Sequence, residues 1–160
     1  MEEILIKQGI SNYDRLSEIF KVAIEETKYF KFVYCDYGLN QPNFNDNSNL
    51  KLSNKELGFC IGFNSKTFEI KLLPVNKNLL IYSELITLKP EDITKIEISK
   101  FTHILTIHSP LFVNKKMIFN LFENVSSLNK NHFLEIEQAL PHMAFMEFLK
   151  KSSIKIKYIV

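Results

Sequence analysis

The chain has 160 residues, of which 46% are hydrophobic and 24% charged, as in folded globular proteins and unlike disordered ones. The formal net charge is only +2 and Arg15 is the sole arginine, which argues against a protein that reads nucleic-acid bases. No run reaches the ~20 apolar residues of a membrane span, and "MEEILIKQGI" resembles no signal peptide. We therefore expect a single domain over residues 1–160, located in the cytoplasm, with two reduced cysteines.

The first elements of the chain are a helix and a strand. Residues 12–28 carry apolar side chains at helical spacing, and Ser11 with Asp14 resembles a capping box at the start of this helix. The next stretch, "YFKFVYCDYG", is aromatic and β-branched and largely apolar on both faces, which predicts a central strand. An Asn-rich segment at 40–55 follows, and we predict that it is a mobile loop.

The middle of the chain is dominated by strands. "LGFCIGF" and "TFEIKLL" flank a short turn and predict a hairpin, and "LLIYSELITL", "ITKIEIS" and "FTHILTIHS" predict further strands. "LFVNKKMIFNLF" is compatible with either a strand or a short helix. Because the connections are short, the sheet is expected to be antiparallel.

The C-terminal part is predicted to be helical, with a last strand. Asn129 or Asn131 can cap a helix through "HFLEIEQAL", which Pro141 should break or kink before it resumes in "HMAFMEFLKK". "SIKIKYIV" alternates and predicts an edge strand. The fold class is therefore α+β: an antiparallel sheet of five to seven strands with an N-terminal amphipathic helix and a C-terminal helical segment.

One stretch resembles a known family. "LKPEDITKIEI", followed by a further strand and a helix near the end, is similar to pleckstrin-homology-type and related membrane-adaptor domains over about half of the chain. The N-terminal helix and "SIKIKYIV" depart from that pattern, and the shared motif is generic. The resemblance implies antiparallel strands capped by a helix, and it assigns no residue a role.

Two of the four histidines lie in the apolar stretch "HILTIHSP". In a strand, His103 and His108 point to opposite faces, because side chains alternate. In a helix, residues share a face when they are three or four positions apart, and these two histidines are five positions apart. They are therefore predicted not to form a metal or catalytic pair.

Other candidate chemistry is sparse. His132 and Glu135 are one helical turn apart, but His142 follows Pro141 and the set lacks the usual spacing of zinc ligands. Cys35 has no nucleophile signature around it, and neither G-x-G-x-x-G nor a P-loop is present. We predict no catalytic residue, no metal and no cofactor.

The C-terminal helix carries the one sequence feature that suggests protein binding. Its apolar residues lie on more than one side, and lysines follow them. The candidate binding residues are Met143, Phe145, Met146, Phe148, Lys150 and Lys151.

The sequence favours a non-catalytic protein-binding module with another protein as its partner. An immunity or antitoxin-like protein, or a mobile-element accessory protein, of a microbe with an AT-rich genome fits this composition. Two alternatives stay open. One is a small enzyme that assembles His132, His142, Cys35 or Glu135 through its fold. The other is a lipid- or nucleic-acid-binding domain that uses the C-terminal lysines.

Overall fold

The computed structural model describes residues 8–24, 28–42, 44, 54–76, 84–125 and 135–159. Two helices are present in these ranges: α1 (Gln8–Ile24) and α2 (Ala139–Lys151). The strands are β1 (Phe30–Tyr37), β2 (Leu57–Asn64), β3 (Ile70–Asn76), β4 (Ile86–Leu88), β5 (Lys95–Ser99), β6 (Ile104–His108), β7 (Lys116–Asn120), β8 (Asn124–Val125), β9 (Ile136–Glu137) and β10 (Ile156–Ile159). Neither of the described helices is long and apolar enough to cross a membrane.

Eight of the strands form one sheet in the order β10-β5-β6-β7-β1-β2-β3-β4. All neighbours are antiparallel except β10, which runs parallel to β5. The parallel pairing of β10 with β5 follows from the path of the chain. Helix α2 directly precedes β10 in the sequence, so it can carry the chain back along the sheet before β10 begins. The predicted α+β class is confirmed, with one strand more than the predicted maximum of seven.

Helix α1 covers one face of β1, β2 and β3. Leu16, Phe20 and Ile24 are buried there against Phe32 and Tyr34 of β1 and against neighbouring apolar residues of β2 and β3. The amphipathic stripe thus has its expected role. The helix begins at Gln8, however, so Ser11 lies inside it and is not the predicted cap.

Helix α2 packs on the opposite face. Phe145 and Phe148 lie with their ring centroids 5.2 Å from that of Phe63 in β2. Val33 and Phe59 belong to the same buried cluster, which continues under β5, β6 and β7. Over β1 to β3 the molecule therefore has three layers, helix on sheet on helix, as the two apolar faces of β1 require.

The C-terminal prediction is wrong in two respects. The described residues just before α2 include a short strand, Ile136–Glu137, in place of the predicted helix. Helix α2 then starts at Ala139, so Pro141 lies in its first turn and neither breaks nor kinks it. A proline is tolerated there because the first amide groups of a helix have no intrahelical acceptor.

The ends of the Asn-rich segment are anchored on the sheet. The Gln41 side chain donates to the carbonyl oxygen of Ile118 over 2.6 Å and accepts from the amide of Ile118 over 3.0 Å. Asn54 donates to the carbonyl oxygen of Gln41 over 2.7 Å. Most of the segment between them lies outside the described residues, and with it the prediction of mobility.

Candidate functional site

An apolar groove lies where α2, β5 and β10 meet. Ile98 of β5 and Met146 of α2 line its inner part, and Tyr158 and Ile159 of β10 line its outer part. Phe101, in the turn after β5, also lines the groove. We call these five residues, together with Lys100 and Lys150, the edge groove.

The outer side chains of the edge groove are unusually exposed for their type. The exposed fraction is 86% for Phe101, 51% for Tyr158 and 43% for Ile159. Single exposed apolar residues are common on proteins, but adjoining ones that line a concave surface are typical of interaction sites. Lys100 and Lys150 supply positive charge beside this apolar surface, and Glu147 lies 3.8 Å from Nζ of Lys150.

The backbone of β10 adds hydrogen-bonding groups next to the groove. The amide of Ile96 donates to the carbonyl oxygen of Lys155 over 2.9 Å, and Ile156 is paired with Ile96. In a parallel ladder, this pattern turns the amide and carbonyl of Lys157 toward β5 and those of Tyr158 away from it. Since β10 is the outermost strand of the described sheet, the outward groups of Ile156 and Tyr158 face no further described strand.

A cavity of about 420 Å³ adjoins the edge groove and shares Ile98 and Lys100 with it. His103 reaches it from the turn before β6, and His142 reaches it from the first turns of α2. The carboxylate of Glu123 lies 3.9 Å from Nδ1 of His142, which is beyond hydrogen-bond distance.

Electrostatics couple the side chains of this cavity. Burial lowers the pKa of His142 below its ordinary value, and Lys100 and His103 lower it further, whereas Glu123 opposes the change. His103 has a left-handed backbone (φ 61°), and its ring stacks on Phe122 with 4.4 Å between centroids. The left-handed conformation is costly for a residue with a Cβ atom.

The structure divides the six binding residues predicted on α2. Phe145 and Phe148 are buried in the core and support the helix from within. Met146 is buried but lines the edge groove beside Lys150. Met143, with an exposed fraction of 62%, and Lys151 are on the surface and do not line the groove.

The residues of the enzyme alternative do not form a shared cleft in the described part of the chain. Cys35 is fully buried, and burial raises the pKa of its thiol well above the ordinary value, which suppresses the reactive thiolate. His142 lines the cavity and Glu135 does not, while His132 lies outside the described residues. The described residues contain no cluster of three or more histidine, cysteine, aspartate or glutamate side chains suited to a metal ion.

His103 does not lie in the predicted strand with His108. It belongs to the turn that precedes β6, and His108 ends that strand. His108 instead contacts Glu97 of β5, with 2.5 Å between Nε2 and Oε1. The hydrogen bond from His108 holds the pKa of Glu97 below its ordinary value.

Sequence reasoning missed Phe101, Tyr158 and Ile159 as surface residues. Each lies in a stretch that alternates like a half-buried strand, so periodicity alone favours burial. Tyr158 and Ile159 are exposed because β10 forms the edge, and Phe101 because it falls in a turn. The prediction that "SIKIKYIV" is an edge strand was the signal that could have indicated the exposure of Tyr158 and Ile159.

Comparison with known proteins yields no relative: no family model, no curated protein and no solved structure matches this chain.

Proposed function

We propose that this chain is a non-catalytic protein-binding module and that the edge groove with the outer edge of β10 is its docking surface. The observation that carries the proposal is the pair of exposed aromatic side chains, Phe101 and Tyr158, that line the groove next to the outward backbone groups of β10. An exposed strand edge offers main-chain hydrogen bonds to an added strand, and a neighbouring groove gives selectivity for its side chains.

The occupant that fits this surface is an extended segment of another protein with alternating apolar and acidic residues. Its backbone would pair with Ile156 and Tyr158, and every second side chain would enter the apolar groove. Lys100 and Lys150 line the groove, so acidic side chains of the segment would meet opposite charge. A cationic segment would be repelled there.

The biological setting that we propose is that of an immunity or antitoxin-like protein, or of a mobile-element accessory protein, acting in the cytoplasm of a microbe with an AT-rich genome. The support is the richness of the sequence in lysine and asparagine, which fits an AT-rich genome. Recognition of one partner segment by a pre-formed surface suits such a role.

The lysine-based alternative has less support from the described residues. Lys150 lines the edge groove, whereas Lys157 pairs with Glu97 in the β10–β5 register and therefore lies on the other face of the sheet from Tyr158. Glu97 also offsets the charge of Lys157, because the two interact electrostatically. The C-terminal lysines are thus spread over two faces rather than gathered into one patch.

The test is a selection of short random displayed peptides on the purified protein, followed by fluorescence anisotropy with the enriched sequences. We expect enrichment of peptides that alternate apolar and acidic residues, and a loss of affinity of about tenfold or more for Phe101→Glu or Tyr158→Glu, because both substitutions place a negative charge on the apolar surface. Val113→Glu is the matched control, since Val113 is exposed and lies outside the groove.

Two results would overturn the proposal. One is the absence of any enriched peptide class. The other is equal binding of the enriched peptides to wild type, Tyr158→Glu and Val113→Glu, with all three proteins folded by circular dichroism.

A further inference from the structure

We infer that the cavity between the β5–β6 turn, the end of β7 and the start of α2 is a binding site for a small phosphate monoester, separate from the docking surface for protein. Nothing in the protein-binding proposal uses this cavity beyond the shared Ile98 and Lys100. It has the size of small-ligand sites, which span roughly 300–1,000 Å³.

Three nitrogen-bearing side chains from two elements converge on the cavity. Lys100 and His103 come from the β5–β6 turn, and His142 comes from α2. They are close enough for both Lys100 and His103 to disfavour the charged form of His142. Such a cluster is unfavourable alone and becomes favourable when an anion lies between its members.

These three side chains have no hydrogen-bond partner among the described residues. The side chains of Lys100, His103 and His142 make no hydrogen bond to any described residue, although the His142 side chain is largely buried. Among the described residues, His142 has no buried ring nitrogen without a partner, so its nitrogens are accessible to a ligand that enters the cavity. Glu123, at 3.9 Å from Nδ1 of His142, is the one carboxylate among the residues that line the cavity, against three nitrogen-bearing side chains.

The shape of the site distinguishes a phosphate monoester from other anions. Three donors that approach from two elements suit a dianion with several acceptor oxygens better than a planar carboxylate with two. The remaining wall is polar at Ser99, Glu123 and Asn124 and apolar at Ile98, Leu121 and the Phe122 ring that stacks on His103. The cavity is larger than a phosphate group alone needs, so this wall can take a small apolar body attached to the phosphate.

The test uses the full chain with ¹⁵N-labelled histidine and follows the imidazole signals by NMR. Phenyl phosphate, inorganic phosphate and benzoate are titrated in separate experiments at fixed pH, with chloride holding the ionic strength constant. With phenyl phosphate we expect saturable shifts at His103 and His142 and none at His108, which lies at the far end of β6. Inorganic phosphate should bind more weakly, and benzoate weakest of the three.

The matched variants are His142→Gln and His108→Gln. His142→Gln should weaken phenyl phosphate binding about tenfold or more, since a hydrogen bond to a charged group is lost, and His108→Gln should leave it unchanged. Non-saturable shifts, or parallel shifts of His103, His108 and His142, would show general ion effects and overturn the inference. Benzoate binding as tight as phenyl phosphate would exclude a phosphate site, and inorganic phosphate binding as tight would exclude a monoester site.

The phosphate-binding inference can fail independently of the protein-binding proposal. His142 does not line the edge groove, so His142→Gln should leave selection of the acidic and apolar peptides unchanged. Failure of phosphate binding with intact peptide binding would refute this inference alone.

Discussion

Gln138 is the residue that closes the gap between the two halves of the sheet. β1 pairs with β7 only at Asp36 and Tyr37, which leaves the edge of β1 open further toward its start. There the Gln138 side chain accepts from the amide of Tyr34 over 2.7 Å and donates to its carbonyl oxygen over 2.8 Å. It also donates to the carbonyl oxygen of Phe122 over 2.8 Å, so one amide group satisfies three buried backbone groups.

Replacing this amide by a thioether of similar size tests its role. Gln138→Met should lower the free energy of unfolding by about 2–4 kcal/mol, because buried backbone groups lose their partners. Chemical denaturation monitored by circular dichroism measures the change. Lys151→Met on the exposed end of α2 is the control and should stay within about 0.5 kcal/mol of wild type. Equal stability of the two variants would contradict the role given to Gln138.

His142 is expected to make stability depend on pH. Its pKa in the folded protein lies below the ordinary value of 6.5, mainly because it is buried. As the pH falls below that value, the unfolded chain takes up a proton that the folded chain resists, so the free energy of unfolding decreases. The contribution is present above the unfolded pKa and is lost as the pH falls toward the folded pKa.

The measurement is a set of urea denaturation curves between neutral and mildly acidic pH. Wild type should lose stability as the pH decreases through this range, and His142→Gln should lose less of it, since glutamine does not titrate. Identical pH profiles of the two proteins would contradict the lowered pKa of His142.

At the scale of elements, the packing of α1 depends on a missing side chain in β2. The Phe20 ring of α1 lies directly over Gly62, and a Cβ atom at that position would overlap the ring. The close approach lets Phe20 also contact Phe32, with 5.1 Å between ring centroids. Glycine at this position therefore sets the distance between helix and sheet.

Adding one methyl group tests this contact. Gly62→Ala should destabilise the protein by about 1–3 kcal/mol through overpacking. Phe20→Leu should relieve part of that cost, so the double variant should be more stable than the sum of the two single changes implies. Strict additivity in thermal or urea denaturation would show that Phe20 and position 62 do not compete for the same space.

The same scale shows what sequence patterns can and cannot predict. The sequence predicted β1, β2, β3 and β5 as strands. β1, β2 and β3 are buried on both faces and are almost continuously apolar, whereas β5 alternates between buried and half-buried side chains along most of its length. The pattern failed before α2, where Ile136 pairs with Val125 in a two-residue ladder too short to leave a periodic signal. It also failed for Pro141. A proline can either occupy the first turn of a helix or break a helix, and the two cases differ only in where the helix starts, which the pattern did not reveal.

For the whole molecule, the sequence predicted an antiparallel sheet with an N-terminal helix and a C-terminal helix, but not the order of the strands. Parallel pairing of β10 with β5 joins residues about sixty positions apart, and no local pattern specifies such a partner. The edge groove results from that pairing and from the position of α2, whereas the cavity results from the approach of α2 to the β5–β6 turn and to the segment after β7. Both depend on contacts between distant parts of the chain, so Phe101, His103 and Tyr158 carried no recognisable motif. The candidate surface on α2 was predicted only in part, through Met146 and Lys150.

The central claim is that the outer edge of β10 accepts a strand from another protein, and residue-resolved amide hydrogen exchange tests it most directly. In the free protein, the amide of Lys157 should exchange slowly because it is bonded to β5, and those of Ile156 and Tyr158 should exchange fast. With a peptide enriched in the selection above, Ile156 and Tyr158 should become protected at least about tenfold while Lys157 changes little. Unchanged exchange at Ile156 and Tyr158 in the saturated complex would contradict strand addition at this edge.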